Sequence, residues 1–100
     1  MTYYSVLAVT PTQEDWVPGY IAVSNALVSK HGGEYLARTA SHERLEGEGQ
    51  DAALRIVIRW PSKEAAVAFM NDPDYTPHLA ARTAGSNSMH FLIEGKDDLA

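Results

Sequence analysis

Tyr75, His78 and Arg82 stand at i, i+3 and i+7, the spacing that lines three side chains along one face of a helix. Their types suit work on an acidic molecule. A guanidinium can hold an anion, an imidazole can exchange a proton near neutral pH, and a phenol can donate a hydrogen bond. The plainer alternative is a surface tyrosine beside two solvated cations. The other histidines are more scattered. His31 precedes Gly32-Gly33 at the end of a periodic apolar stretch, where a helix C-terminus favours positive charge. His42 lies near Glu43 and Glu46 and reads either as a proton shuttle on a loop or as a solvated loop residue. No His-x-x-x-His pair marks a metal site. Serine-nucleophile motifs and glycine-rich phosphate loops are missing, and Gly32-Gly33 reads as a helix stop. No cofactor is therefore expected, neither metal nor nucleotide. Haem would require an axial ligand such as His78 or His90.

Composition narrows the class. The chain of 100 residues carries 8 Lys+Arg against 13 Asp+Glu, a net charge of −5. The basic residues are dispersed, which argues against a nucleic-acid partner, since clustered cations supply most of that affinity. Cysteine is absent, so disulfides, thiolate zinc and a cysteine nucleophile are excluded, in keeping with a cytoplasmic location. No apolar run approaches the roughly 20 residues of a membrane helix. The length suits one domain over residues 1–100, and a domain this small gains stability by covering further surface in a homodimer.

The elements that must position the polar residues follow from periodicity. Tyr3 to Val9 is apolar at nearly every position, as expected of a central strand covered on both faces. Trp16, Tyr20, Val23, Leu27 and Lys30 then recur along one helical face, with Pro18 confined to the first turn and Gly32-Gly33 as the stop. Glu34 to Ala40 reads as an edge strand, followed by an acidic glycine-containing loop. Leu54 to Trp60 alternates, with Leu54, Ile56, Ile58 and Trp60 expected toward the helices and Arg55, Val57 and Arg59 away from them. Ser62 caps a helix with Ala65, Ala66, Phe69 and Met70 as its buried stripe, ended by Asn71-Asp72-Pro73. Thr76-Pro77 is expected as N-cap and first residue of a short helix closing near Gly85. In the last strand, Met89 to Glu94, the apolar Met89, Phe91 and Ile93 are expected to face the helices. His90, Leu92 and Glu94 then fall on the opposite side.

On that reading the helix-free face carries Arg55, Val57, Arg59, His90, Leu92 and Glu94. A dimer would cover it. Strands two apart lie roughly 10 Å from one another, within reach of a long Arg59 side chain leaning past Ser5 or Ala8 toward Glu94. Such a pair is either a structural ion pair or an anion or enolate clamp lining a cavity. Trp60 and Trp16 are core candidates, or the walls of an aromatic pocket for a planar organic substrate between helices and sheet.

The segments His31 to Arg38, Leu45-Glu46-Gly47, Trp60-Pro61-Ser62 with Ala65, Ala66 and Phe69, Asp74-Tyr75 and Glu94-Gly95 resemble, in order, the domain of unknown function 1330 family. The resemblance covers nearly the whole chain. It implies an α+β, ferredoxin-like βαββαβ subunit with an antiparallel four-stranded sheet in the order 4-1-3-2, of the dimeric α+β barrel superfamily. It implies no particular reaction, because relatives include cofactor-independent monooxygenases, lactone isomerases, polyketide cyclases and haem-dependent enzymes. Arg38 matches a family position at the end of the second strand, with Glu46 just beyond in the Leu-Glu-Gly turn. They read either as a salt bridge fixing the loop or as a site, with Arg38 holding a carboxylate and Glu46 taking a proton if burial raises its pKa.

The expectation is a homodimeric small-molecule protein. As an enzyme it would abstract a proton from, or isomerise, an acidic organic compound without a cofactor. Glu46, His42 or His78 would move protons, and Arg38, Arg59, Trp60, Tyr75, Arg82 and Glu94 would line the binding site. The rival reading is a non-catalytic ligand-binding or stress-related dimer in which these residues merely pair with one another.

Overall fold

The computed structural model describes all residues, Met1–Ala100. Its elements are β1 (Tyr3–Pro11), α1 (Val17–Lys30), β2 (Glu34–Thr39), β3 (Leu54–Trp60), α2 (Lys63–Met70), α3 (Thr76–Ala84) and β4 (Ser86–Glu94). The four strands form one antiparallel sheet in the order β2-β3-β1-β4, with β1 and β3 central. This is the βαββαβ ferredoxin-like arrangement, with α2 and α3 sharing the second crossover. No helix is long and apolar enough to cross a membrane.

Local chemistry accounts for the element ends. Ser62 accepts from the Ala65 N–H at 3.1 Å and starts α2 as a side-chain N-cap. Gly32, at φ 79°, provides the left-handed residue that releases the chain after α1. Pro18 lies in the first turn of α1, where no intrahelical N–H is lost. The start of α3 differs by one residue from expectation. Tyr75 is its N-cap, so Thr76 is already helical and Pro77 is second. The Thr76 hydroxyl instead donates back to the Asp72 carbonyl at 3.1 Å.

The core lies between the helices and one face of the sheet. Leu7 and Val9 of β1, Ile56, Ile58 and Trp60 of β3, Leu27 and Val28 of α1, and Phe69 of α2 are buried there. The expected inward set of β3 is the one observed. In β2 an irregularity between Tyr35 and Ala37 decides which neighbour turns inward. Tyr35, opposite Ile58, packs on the core, and Leu36 is left exposed.

β4 corrects the expectation. Its register with β1 sets His90 opposite Leu7 and Leu92 opposite Ser5. Leu7 and Ser5 point at the helices, so His90, Leu92 and Glu94 do too, and Met89, Phe91 and Ile93 occupy the helix-free face at 58, 58 and 49% exposure. The reason is that this sheet carries apolar residues on both faces. Val6 of β1 shares the helix-free face with Phe91, its register partner. Choosing the more apolar set as the core therefore selects the wrong side. The expected Arg59–Glu94 pair fails for the same reason, because the two side chains lie on opposite faces. Arg59 pairs with Glu34, while Glu94 takes Lys96 at 3.2 Å and the Tyr3 hydroxyl at 3.3 Å.

Candidate active site

A cavity of about 90 Å³ lies between α1, α3 and the sheet. Leu7, Val9, Ile56 and Ile58 make its floor, aromatic rings from Trp16, Tyr20, Tyr35, Phe69 and Tyr75 make its walls, and Ser24, Arg38, Arg82 and His90 are among its polar members. Helical spacing supplies the walls. Trp16 and Tyr20 are one turn apart, and their rings meet edge to face at 5.5 Å. Tyr75 at the start of α3 and Arg82 in its last turn share a face two turns apart, as the spacing implied.

Gly85 fixes the end of this face. Its carbonyl accepts from the Trp16 Nε1–H at 3.0 Å and from the Thr12 N–H at 2.8 Å. A Cβ on Gly85 would stand 2.5 Å from the Trp16 ring, so only glycine lets α3 turn into β4 against this indole. That junction sets Arg82 and His90 beside the same cavity.

Arg82 is 5% exposed and has no carboxylate partner. One guanidinium nitrogen donates to the Tyr20 hydroxyl at 2.8 Å and to the Tyr75 hydroxyl at 3.3 Å, and the two hydroxyls share a hydrogen bond of 2.5 Å. Its Nε–H is buried with no acceptor. A buried cation is ordinarily neutralised by an anion. Burial, followed by the neighbouring Tyr20, pushes the Tyr75 phenol pKa up, so the hydroxyl keeps its proton. His90 is half-buried, with Nε2 2.8 Å from the Ser5 hydroxyl, which also accepts from the fully buried Trp60 Nε1–H at 2.8 Å. Burial and then the Arg82 charge lower its pKa from 6.5 to about 4, so the imidazole is neutral at pH 7. Arg82 and His90 also line an open groove of about 590 Å³ beside the start of β4, most of whose lining residues are polar, and thus stand between the cavity and solvent.

The residues singled out from the sequence are divided by the fold. Tyr75 and Arg82 come together, and Arg38 lines the cavity rim, donating to Asn25 at 2.7 Å with its guanidinium 3.9 Å from the centre of the Tyr35 ring. Trp60 lies beneath the site, outside the cavity lining, with its ring 5.3 Å from that of Phe69 and its indole N–H donating to Ser5. His78 is half-buried beside Gly19 of α1, outside the cavity lining. Glu46 and His42 lie on the exposed segment between β2 and β3, where His42 Nδ1 accepts from the Arg55 Nε–H at 2.7 Å. Arg38 and Glu46 make no ion pair with each other, and Arg59 and Glu94 lie outside the cavity lining. No three His, Asp or Glu side chains cluster as metal ligands. The sequence reading passed over Tyr20 and Ser5 as site residues and had His90 only as a haem ligand. The i, i+4 pairing of Trp16 with Tyr20 was the available signal for the first.

Among solved structures, a protein of unknown function from Rhodopseudomonas palustris superposes with a TM-score of 0.81 at 16% identity, over 96% of this chain and 83% of that one. A dimeric ferredoxin-like protein of unknown function from Jannaschia sp. CCS1 gives 0.75 at 14% identity, over 94% and 99%. SnoaB, a cofactor-independent oxygenase from Streptomyces nogalater, gives 0.57 at 22% identity, over 98% and 94%. No curated protein matches. These likenesses show a shared ferredoxin-like fold and leave the reaction open. Residues 2–96 match the family described as Domain of unknown function (DUF1330), and the chain belongs to that family.

Proposed function

We propose that the cavity between helices and sheet binds a small organic acid and that the protein is a cofactor-independent enzyme transferring a proton on it. The observation that carries this reading is Arg82, a buried guanidinium in an apolar aromatic cavity with tyrosine hydroxyls as its only partners. An anionic ligand would supply the missing charge. The cavity's 90 Å³ equals about three waters of liquid volume, which limits its occupant to a small acid or one end of a longer one. That a cofactor-independent oxygenase shares the fold makes such chemistry compatible with it. The rival reading, a ligand-binding dimer without turnover, uses the same cavity and differs only in the absence of product.

A thermal-shift panel of small carboxylates, phenols, lactones and quinones tests the binding. A ligand at 100 times its Kd adds about 2.7 kcal/mol, a rise on the order of 10 °C for a domain of this size. The rise is expected in the native protein and absent in Arg82→Met.

The helix-free face supports a second proposal, a homodimer. Met89, Phe91, Ile93 and Val6 expose an apolar patch there, flanked by Arg55 and by the Arg59–Glu34 pair. Its self-complementary occupant is a second copy of the sheet, as in the dimeric neighbours of the same fold. Light scattering at micromolar concentration should give twice the 10.9 kDa chain mass. A monomer mass would remove the dimer from the account.

A further inference from the structure

The hydrogen-bond inventory of the Arg82 corner has more donors than acceptors. Arg82 supplies N–H groups to two phenolic oxygens, and one phenol donates to the other. That leaves the second phenol's proton and the buried Arg82 Nε–H without acceptors inside the corner, while the Arg82 Nη2 N–H groups, which are not fully buried, also make no hydrogen bond within the protein. Of the cavity's other donors, the Trp16 indole N–H goes to the Gly85 carbonyl, the Ser24 hydroxyl to the Ile21 carbonyl, and one Arg38 N–H to Asn25 while its guanidinium lies over the Tyr35 ring. Two free donors beside one buried positive charge match two oxygens of a delocalised anion. His90, on the same wall, brings a side chain able to accept a proton. The Ser5 hydroxyl oxygen has room for both the Trp60 N–H and a His90 Nε2–H, and in that tautomer Nδ1 is bare.

We infer that this corner enolises a small carbonyl compound bearing a second oxygen, a 2-oxo acid or a 1,3-dicarbonyl, with His90 as the base and Arg82, Tyr20 and Tyr75 as the oxyanion hole. This deepens the organic-acid reading above and rests on it. In the forward step the C–H bond beside the carbonyl breaks and its proton passes to His90 Nδ1. The bond's electron pair forms the C=C bond while the carbonyl π pair moves to oxygen. The resulting enolate oxygen and the substrate's second oxygen accept hydrogen bonds from the Arg82 Nε–H and the spare phenol O–H, donors that need no rearrangement when the charge develops. Returning the proton to the same carbon gives exchange, and returning it to another gives isomerisation. No oxidant or reductant is consumed. The groups facing His90 are Arg82, which favours its neutral form, and the uncharged Ser5 hydroxyl.

Two probes, 2-oxobutyrate and pentane-2,4-dione, separate the two substrate types. Deuterium uptake at the enolisable carbon in D2O is followed by NMR beside thermal shift for each protein. The native protein is expected to bind at least one probe and to accelerate its exchange. His90→Asn should keep the thermal shift and lose about 100-fold or more of the exchange rate. Arg82→Met should lose both. Should His90→Asn fail to fold, the native pH profile decides: exchange should be level near neutrality and fall only as pH approaches about 4. Binding without exchange, undiminished exchange in His90→Asn, or a fall already complete by the ordinary histidine pKa would each overturn the enolisation. The organic-acid reading would survive those results. Failure of both probes to bind overturns the enolisation alone if another acid from the panel binds through Arg82, and both readings if none does.

Discussion

Two corners of this molecule each bury a charge to the same 5% exposure, Asp72 and Arg82, and they treat it in opposite ways. Asp72 sits in the turn between α2 and α3. Its carboxylate accepts from His31 at 2.8 Å, from the Asp74 N–H at 2.9 Å and from Lys30 at 3.1 Å. Those donors, His31 foremost, lower its pKa from 3.8 to about 2. Every partner comes from the chain itself, and the result ties the end of α1 to the start of α3. Arg82 has only neutral hydroxyls and one donor without an acceptor. A buried charge that the protein neutralises for itself is architecture. One that it leaves open is, under the function proposed above, the place where a ligand supplies the missing charge.

The largest effect on stability should come from breaking the satisfied corner. Asp72→Asn removes the charge that joins Lys30 and His31, and it should lower the melting temperature more than Arg82→Met, His90→Asn or Arg38→Ala, with no selective loss of ligand response. A fall smaller than that of Arg82→Met would blur the contrast. Acid should separate the two corners as well. Because the folded pKa of His90 lies below its ordinary 6.5, its neutral burial contributes stability that is complete above 6.5 and is lost as pH falls toward 4. The Asp72 contribution is complete above 3.8 and is lost only toward 2. Denaturation as a function of pH should therefore show a first decline between 6.5 and 4 that His90→Asn flattens, with the Asp72 decline at lower pH. The smallest effect belongs to Arg38→Ala. Arg38 is exposed and bonded to a neutral asparagine, so the loss should stay within about 0.5 kcal/mol in a urea titration. A loss of several kcal/mol would mean that a buried partner holds it.

The sequence made the scaffold legible because its constraints are local and periodic. Alternation placed Ile56, Ile58 and Trp60 inward, Ser62 marked the start of α2, and the i, i+7 spacing joined Tyr75 to Arg82. What it hid depends on partners distant in the chain. Tyr20 reads as one more apolar helix position until its hydroxyl meets Tyr75, 55 residues away. The face of His90 is misread because β4 carries three large apolar residues, Met89, Phe91 and Ile93, on the side without helices and sets His90 over the cavity. His42 and Glu46 lie on a segment without periodicity, and nothing in their spacing fixed their distance from the helices.

The most direct test of the central claim is the melting temperature of Arg82→Met, alone and with the acid that shifts the native protein most. Methionine keeps an unbranched apolar chain and leaves the Tyr20–Tyr75 hydrogen bond in place. The ligand-free variant should melt no lower than the native protein, because removing an uncompensated buried charge relieves a desolvation cost, and its ligand response should vanish. An unliganded variant that melts far below the native protein while still responding to the acid would make Arg82 a structural residue and place the binding site elsewhere.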